Sequence, residues 1–382
     1  MATKKLKSGI KGEKRKTANT ISALLIICGM FAMAAMAPGH REYAGKDAGA
    51  EISLMQDAPK SVKNISFKKN FTAGNFTSVL VDDNNTKWFL TDKGIASFDG
   101  SKWQIHNKNK QIPVTGVKDF AIDVSSAGRE LWLASPAGAT AVKLPITAKS
   151  AITTYNTGNS ELLSDTVRAV AVGKGSLRWF GTNRGVSAYI NGKWLSYDYE
   201  LFYPEVIFRD FPITAIATNP GGDSVYVATD GAGVGRMFRN EVDAISGASE
   251  YAIWGPIDMP SDNVHSICIT PDGTKWFGTD LGIARHIGNE TLAEWTVFDT
   301  NDGLVDNFVQ CIACYPDGSV WFGTKGGISI FRDDSWKSLT SENGLLSNNI
   351  QCMTVDKTGV VWCGTDKGVI AIDRGVITNY TH

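Results

Sequence analysis

Residues 320–331 read VWFGTKGGISIF, and the chain repeats this stretch along its length. Residues 275–285 read KWFGTDLGIAR, and residues 361–372 read VWCGTDKGVIAI. Each copy contains a large aromatic residue, a Gly-Thr pair, a second glycine and an apolar segment, in the same order. Because a stretch that recurs at a fixed interval indicates a repeat architecture, we interpret the chain as a tandem array.

Seven copies are found when the sequence is aligned on the first aromatic residue of this unit. Successive copies lie 44, 47, 47, 50, 45 and 41 residues apart. That period is typical of a β-propeller, whose blades span about 40–50 residues, whereas a solenoid would have a period of about 20–30 residues. The aligned residues are Trp88, Trp132, Trp179, Tyr226, Trp276, Trp321 and Trp362.

The sixth copy shows how one unit divides into strands. Apolar and β-branched residues dominate 309–314, 320–324, 328–331 and 335–339, and the turn sequences PDG, KGG and RDD separate these runs. Four short strands joined by tight turns form an antiparallel meander. A blade packed between two neighbours is buried on both faces, so its strands need no strict alternation. We therefore predict an all-β fold, a seven-bladed β-propeller of four-stranded antiparallel blades.

The repeated aromatic residues and glycines have structural explanations. We expect the seven aromatic residues to pack between blades rather than to form a binding surface. Backbone conformation alone explains the glycines of the Gly-Thr pairs and of the turns. Residues 376–380 can serve as the fourth strand of the last copy, and residues 66–71 resemble a further strand that would latch the ring.

The N-terminus differs from the rest of the chain. Seven basic residues precede an uncharged apolar run from Ile21 to Ala37, which contains the small-residue pattern Ala32-Met33-Ala34. These features predict a signal peptide over residues 1–34. The alternative is an uncleaved membrane anchor, because a run of about 17 apolar residues reaches the lower limit for a spanning helix. We predict a flexible linker over 35–64 and the propeller over 65–382.

Charge narrows the choice of partners. The whole chain has a formal net charge of −1, and removal of residues 1–34, whose net charge is +6, leaves −7. An acidic exported chain without basic clusters is a poor nucleic-acid binder. We therefore predict a periplasmic or extracellular protein with no nucleic-acid partner. It would contact a membrane only if the N-terminal segment is retained.

Five cysteines follow residue 34, and all lie in the last third of the chain. An odd number of cysteines confined to one part of the chain does not have the pattern of a disulfide-stabilised scaffold. We therefore favour the interpretation that they are buried free thiols. If Val355 faces Val360 across a hairpin, however, Cys352 faces Cys363 on the neighbouring strand. Cross-strand Cα distances of about 4.5–5.5 Å permit a bond, and we therefore also consider a Cys352–Cys363 disulfide.

The units resemble the two-component regulator propeller repeat. That repeat carries N-G-L-x-S-N-x-I/V, a D-G turn, W-F/I-G-T and x-x-G-I/L, and residues 343–350 (NGLLSNNI) and 302–308 (DGLVDNF) match its opening. The resemblance is close in copies three, five, six and seven and weak in copies two and four. It implies a propeller that typically serves as the extracytoplasmic sensor of a membrane histidine kinase and often binds carbohydrate. No kinase or DNA-binding region follows the seventh copy, so we expect ligand or partner binding rather than direct signalling.

One face of the predicted ring collects residues that differ among the copies. Loops before the first strands and turns between the second and third strands share this face. Its mixture of acids, bases and amides suits a polar ligand such as an oligosaccharide. Hydrogen bonds within repeated turns better explain Asn75, Asn263, Asn307 and Asn349, and the charged residues have the alternative of being solvated turn tips. The candidate ligand-binding residues in these turns are Asp92, Lys93, Arg184, Asp230, Asp280, Lys325, Asp366 and Lys367.

Residues 201–211 read LFYPEVIFRDF and interrupt the repeat. Loops that depart from the regularity of a scaffold often carry function. Tyr203 and Phe208 are therefore two further candidates, because they could stack on a sugar or on the apolar surface of a partner protein. The alternative is that they pack over a blade interface.

Catalysis has little support in the sequence. The five histidines form no metal-spaced cluster, and HExxH, GxSxG and phosphate-loop patterns are absent. His265 and His286 are the best pair of candidate catalytic residues if the protein is an enzyme.

We predict no catalytic residue, no metal and no cofactor, and favour an exported, sensor-like binding protein for a polar ligand or a partner protein. The alternatives are a protein-interaction scaffold with no small ligand and, less favoured, a propeller lyase or glycoside-active enzyme.

Overall fold

A computed structural model describes residues 59–66, 75–106, 112–113, 115–126, 128–197, 211–222, 224–238, 251–254, 259–288 and 294–381. The predicted signal peptide and most of the predicted linker lie outside these residues. Within the described ranges, no helix has the length and apolar character that a membrane crossing requires.

The chain forms seven β-sheets, and each sheet is one blade whose strands follow one another in sequence. The predicted seven-bladed propeller is confirmed, and in the sixth copy the predicted strand bounds agree to within one residue. Single turns of 3₁₀ helix lie at Lys174–Ser176 and Ser341–Asn343.

Strand β1 (Ser61–Ser66) precedes the blades. Blade 1 contains β2 (Phe76–Val81), β3 (Lys87–Thr91), β4 (Gly94–Phe98) and β5 (Trp103–Ile105), and blade 2 contains β6 (Asp119–Ser125), β7 (Gly128–Ser135), β8 (Gly138–Lys143) and β9 (Ile152–Tyr155). Blade 3 contains β10 (Val167–Val172), β11 (Arg178–Thr182), β12 (Gly185–Ile190) and β13 (Lys193–Tyr197), and blade 4 contains β14 (Ile213–Thr218), β15 (Ser224–Thr229), β16 (Val234–Phe238) and β17 (Tyr251–Trp254). Blade 5 contains β18 (Val264–Ile269), β19 (Lys275–Thr279), β20 (Ile283–Ile287) and β21 (Glu294–Phe298), and blade 6 contains β22 (Val309–Cys314), β23 (Val320–Thr324), β24 (Ile328–Arg332) and β25 (Ser335–Leu339). Blade 7 contains β26 (Ile350–Val355), β27 (Val361–Thr365), β28 (Val369–Asp373) and β29 (Val376–Thr381).

The aligned aromatic residue of every second strand is buried between blades, as predicted. None of the seven has more than 6% of its surface exposed. Trp276 of blade 5 contacts Phe322 of blade 6, with ring centroids 5.5 Å apart. Trp362 of blade 7 lies at the same distance from Phe98 of blade 1. These offset and edge contacts stabilise the ring beyond simple burial of apolar area.

The glycine of the Gly-Thr pair allows neighbouring blades to approach each other. A Cβ added at Gly278 would lie 2.6 Å from Cγ1 of Val309, and one added at Gly323 would meet Sγ of Cys311 in its own blade and lie 2.7 Å from Cγ2 of Ile350. Val309 and Ile350 begin the first strands of the next blades. Neither glycine has a positive φ. The expectation that backbone conformation alone explains these glycines is therefore wrong. A larger residue would collide with the first strand of the next blade.

The threonine of the pair closes the turn that follows it. Oγ1 of Thr324 donates to the carbonyl oxygen of Gly327 at 2.8 Å, and a hydroxyl makes the equivalent contact in all seven copies. Gly327 has a φ of 139°, and a Cβ there would lie 2.5 Å from the carbonyl oxygen of Leu339. Both the positive φ and the close approach of the fourth strand require glycine at this position.

The ring closes where blade 1 meets blade 7, and an additional strand covers the outer edge of blade 7. Strand β1 pairs in parallel with β29 over six residues, and Nδ2 of the buried Asn379 donates to Oδ1 of Asn64 at 3.0 Å. The N-terminal latch thus exists, but at 61–66 rather than at 66–71, and 61–64 belong to the predicted linker. All six residues of β1 are exposed. Its position was missed because backbone pairing, rather than an apolar pattern, holds the strand there.

The predicted Cys352–Cys363 disulfide is wrong. Both cysteines are free and buried. Val355 pairs with Val361 rather than with Val360, and this register places Cys352 opposite Gly364 and Met353 opposite Cys363. The two thiols therefore belong to residues that do not face each other across the hairpin.

A different disulfide joins two blades. Cys268 on β18 is bonded to Cys314 on β22, with 6.2 Å between their Cα atoms. These are the first strands of blades 5 and 6, so the bond links positions that are 46 residues apart. The favoured interpretation of buried free thiols therefore holds for Cys311, Cys352 and Cys363, and is wrong for this pair.

Candidate functional site

The two ends of the blades carry different connections. The turns between second and third strands and the segments before the first strands lie at one end, which we call the loop face. Backbone hydrogen bonds join these turns to these segments. The amide of Asp92 donates to the carbonyl oxygen of Asn75 at 3.2 Å, and the amide of Asp230 donates to the carbonyl oxygen of Pro212 at 3.0 Å. The turns between first and second strands and between third and fourth strands form the opposite end, the turn face.

The structure describes eight of the ten predicted ligand-binding residues, and all eight lie in turns of the loop face. Asp280 is half-buried and the other seven are exposed. Tyr203 and Phe208 lie outside the described residues, so their role stays a prediction. The eight residues are Asp92, Lys93, Arg184, Asp230, Asp280, Lys325, Asp366 and Lys367.

Acidic side chains of the turn face hold the blades together. Oδ2 of Asp356 accepts from Nε1 of Trp362 at 3.0 Å and pairs with Nζ of Lys87 at 2.9 Å, which links blade 7 to blade 1. Asp82 links blades 1 and 2 through Arg129 at 2.6 Å. Every ion pair between described residues lies at this end of the blades.

The carboxylate of Asp356 is stabilised in its charged form. Burial alone would raise the pKa of Asp356, but hydrogen bonds from Thr358, Lys87 and other groups outweigh it and lower the pKa to about 2. In the predicted turn at Asp317, the amide of Ser319 donates to Oδ1 at 2.8 Å. These acids have the turn role that the sequence indicates, and they are committed to the fold.

The charged side chains of the loop face have no ion-pair partners among the described residues. Asp366 accepts from the hydroxyl of Ser347 at 2.6 Å, and Asp280 accepts from Nδ2 of Asn263 at 3.0 Å. Lys325 contacts an aromatic ring. Exposed charges of this kind contribute little to stability, so a ligand could use them without cost to the fold.

The asparagines before the first strands divide into two groups. Oδ1 of Asn307 accepts from the amide of Thr300 at 2.9 Å, which is the turn role expected from the sequence. Asn263 and Asn349 instead contact side chains, and Oδ1 of Asn349 accepts from Nε2 of Gln310 of the preceding blade at 2.8 Å. These amides order the loop face.

A β-bulge recurs near the start of the first strand in six blades. In blade 5, Val264 pairs with Thr279 and Ser266 pairs with Gly278, which leaves His265 unpaired. A bulge re-aims one side chain and is common beside functional sites. The same backbone feature thus presents four residue types in six blades: Thr, Arg, His and Gln. The bulged residues are Thr77, Arg168, Thr214, His265, Gln310 and Gln351.

His265 brings together residues of three blades. Its ring stacks on that of Phe308, with centroids 4.9 Å apart and an interplanar angle of 18°. Nζ of Lys325 lies 3.4 Å from the centroid of the same phenyl ring. Burial lowers the pKa of His265, the nearby carboxylates of Asp280 and Asp230 oppose this effect, and Lys325 adds to it. Predicted residues of blades 4, 5 and 6 therefore act electrostatically on one histidine.

His265 and His286 do not share one environment. His286 is 1% exposed, and its ring centroid lies 4.6 Å from that of Trp295. Burial, together with the positive charges of Lys275 and Arg236, lowers its pKa to about 4. Two carboxylates act on His265 instead. No group of three His, Cys, Asp or Glu side chains within the described residues could hold a metal.

The sequence indicates His265 only as a candidate catalytic residue, and it gives no indication of Phe308 or Arg168. The sequence did contain a signal for these residues. The residue that follows the first buried residue of the first strand is not the same in all copies, as expected of a position that is not required for the fold. The bulge that directs this residue toward the loop face is a backbone feature that a repeat alignment does not show.

The sequence model of the family described as Two component regulator propeller matches residues 303–326 and 344–367. Both segments run from the start of a copy to the turn after its Gly-Thr pair. The resemblance inferred from the repeat is thereby confirmed. No curated protein sequence matches the chain.

Solved structures share the fold at low identity. PorZ, a bacterial surface component of the type-IX secretion system of Porphyromonas gingivalis, is 15% identical, with a TM-score of 0.60 over 80% of this chain and 48% of its own. The chain thus spans about half the length of PorZ. Virginiamycin B lyase from Staphylococcus aureus is 16% identical, with a TM-score of 0.56 over 78% of this chain and 93% of its own. The GH74 enzyme of Niastella koreensis is 12% identical, with a TM-score of 0.57 over 81% of this chain and 54% of its own. At these identities the likeness shows the fold alone.

Proposed function

We propose that the protein is an exported, non-catalytic recognition propeller that binds a polar ligand, such as an oligosaccharide, on its loop face. The observation that carries the proposal is the contrast between the two ends of the blades. At the turn face, the carboxylates of Asp356, Asp82 and Asp317 form ion pairs. The charged groups of the loop face have no ion-pair partner within the described part of the chain, and therefore remain available to a ligand.

The chemistry of the loop face suits a saccharide. The hydroxyl of the exposed, bulged Thr77 can exchange hydrogen bonds with sugar hydroxyls. Oε1 of the bulged Gln310 can accept one while its Nε2 donates to Asn349 and to the carbonyl oxygen of Ile350. Phe308 adds a half-buried aromatic ring beside them. Ligand sites typically combine apolar and aromatic surface with a small number of placed polar groups.

A sensor-like role is supported by the family match, since the matched repeat is described as a two-component regulator propeller. The lyase and the GH74 enzyme show that similar rings also host catalysis in other proteins. We favour recognition here for two reasons. The polar groups of the loop face vary among the blades. Within the described residues of that face, no two titratable side chains form a hydrogen bond with each other. Protonation chemistry usually needs such a pair or a substrate placed between its members.

Export is supported by two independent features. The basic segment and the apolar run at the N-terminus have the order of a signal peptide. The Cys268–Cys314 disulfide is the kind of bond that persists in an oxidising compartment such as the periplasm or the cell exterior.

The experiment is a thermal-shift screen of the purified protein against oligosaccharides, followed by calorimetric titration of each hit. A ligand that binds the native state raises its apparent stability. We expect Lys367→Ala or Asp230→Asn to weaken binding roughly tenfold, because a hydrogen bond to a charged group contributes about 1.5–3 kcal/mol. The matched turn-face controls, Lys193→Ala and Asp373→Asn, should bind as the wild type does.

Two results would count against the proposal. Equal weakening by loop-face and turn-face substitutions would place the ligand elsewhere. Absence of binding to every saccharide would favour the protein-interaction scaffold, for which substitution of Tyr203 and Phe208 is the next test.

A further inference from the structure

The face of Phe308 is occupied by an ammonium group of the protein itself. Nζ of Lys325 lies 3.4 Å from the ring centroid, which is well inside the range of about 6 Å over which a cation is attracted to an aromatic ring. His265 stacks on the same ring and fixes its position. The phenyl ring thus offers an ordered, half-buried surface that accepts a positive charge.

Negative charge surrounds this surface without a permanent counterion. Asp230 is exposed, and Asp280 is half-buried with one oxygen bonded to Asn263 at 3.0 Å. Both carboxylates lie close enough to His265 to act on its charge. Within the described residues neither carboxylate forms an ion pair, and Lys325 has no carboxylate partner either. Two acids and one base leave a net negative charge beside the ring, which favours binding of a second cation.

The disulfide holds the two strands that carry this cluster. His265 lies three residues before Cys268 on β18, and Phe308 directly precedes β22, which ends at Cys314. The stacked pair is therefore built across a covalently joined blade interface. A preorganised surface of this kind loses less entropy when it binds a ligand.

We infer that Phe308, His265, Asp230 and Asp280 form a subsite for the ammonium group of an amino sugar, and that Lys325 covers this subsite until the ligand displaces it. The inference rests on the proposed saccharide recognition and adds the chemical class of the sugar. A protonated amino sugar supplies the charge that the ring face and the two carboxylates attract. N-acetylation removes that charge and leaves the rest of the sugar in place.

The test is a pair of calorimetric titrations of the whole protein with a β-1,4-linked glucosamine tetramer and with its fully N-acetylated counterpart. We expect the amine form to bind at least tenfold more tightly. Lys325→Met should raise the affinity for the amine form several-fold, because it removes the internal competitor while keeping the apolar stem. Lys193→Met, which changes an exposed lysine of the turn face, should not alter either affinity.

Two further variants examine the ring and the charge separately. Phe308→Leu should abolish the preference for the amine form, and its melting temperature would show whether it folds. Asp230→Asn changes an exposed side chain and should reduce the preference several-fold without affecting the fold.

The outcomes separate the two proposals. Equal binding of the amine and acetylated tetramers would overturn the ammonium subsite and leave saccharide recognition intact. Weaker binding of the amine form to Lys325→Met would also overturn the subsite, because Lys325 would then contact the ligand directly. If neither wild type nor Lys325→Met binds the amine form, the subsite is rejected, whereas saccharide recognition is judged by the wider screen.

Discussion

At the turn face, Asp356 and Asp82 each accept a hydrogen bond from a buried indole and pair with a base of the following blade. At the loop face, Asp92 and Lys93 are exposed and have no ion-pair partner among the described residues. The same residue types thus have different roles at the two ends of one repeat. Burial explains the difference, because a buried charge must be paired and hydrogen-bonded, whereas an exposed charge is already solvated.

The largest expected effect concerns the buried acid that joins the first and last blades. Asp356→Ala should lower the free energy of unfolding by about 3–5 kcal/mol, since Lys87 is then left buried without its partner. Asp92→Ala at the loop face should change it by less than about 0.5 kcal/mol. Urea unfolding of both variants measures the difference. Similar losses in the two variants would contradict the division into a structural and an available end.

The disulfide between blades should have the next largest effect. Replacing Cys268 and Cys314 with serine should lower the free energy of unfolding by about 2–4 kcal/mol, because the bond closes a long loop of the unfolded chain. The control is Cys311→Ser, which removes a buried free thiol and keeps the bond. A count of reactive thiols checks the pairing: in the protein without residues 1–34, the denatured, unreduced chain should expose the three free cysteines. Five reactive thiols would show that the bond is absent.

A smaller effect is expected at the glycines that separate the blades. Gly278→Ala should cost about 1–3 kcal/mol, because its Cβ would lie 2.6 Å from Cγ1 of Val309 of the next blade. Gly158, in an exposed turn, also lacks a positive φ and would meet only the side chain of Asn156. Gly158→Ala should therefore be nearly neutral in the same unfolding assay. Equal costs would show that backbone conformation, and not interblade space, selects the glycine.

The smallest expected effect is the dependence of stability on acid. The pKa of Asp356 is lowered to about 2 from an ordinary value of 3.8, so the unfolded chain takes up the proton first as the pH falls. The contribution of Asp356 is therefore present above about pH 4 and is lost as the pH falls toward about 2. Wild type should lose more stability than Asp356→Asn over this interval in urea titrations. Parallel curves would mean that the carboxylate is not stabilised in the folded state.

Much of the fold follows from the repeat, but the candidate site follows from it only in part. The position of Trp276 predicted burial between blades, and the turn after Thr279 predicted the location of Asp280. The stacking of His265 on Phe308 could not be predicted, because these residues lie 43 positions apart in different repeats. Their contact depends on a bulge and on the angle between two blades.

The repeat period, the turn sequences and the large aromatic residues are local properties, and they were enough to predict seven four-stranded blades. They could do so because each blade buries the same apolar surface against the next, so one unit describes all its neighbours. Three features depended on the assembled ring: the parallel latch at Ser61–Ser66, the Cys268–Cys314 bond and the grouping of polar residues around His265. Each depends on distances between strands of different blades, and those distances are set by packing around the whole ring.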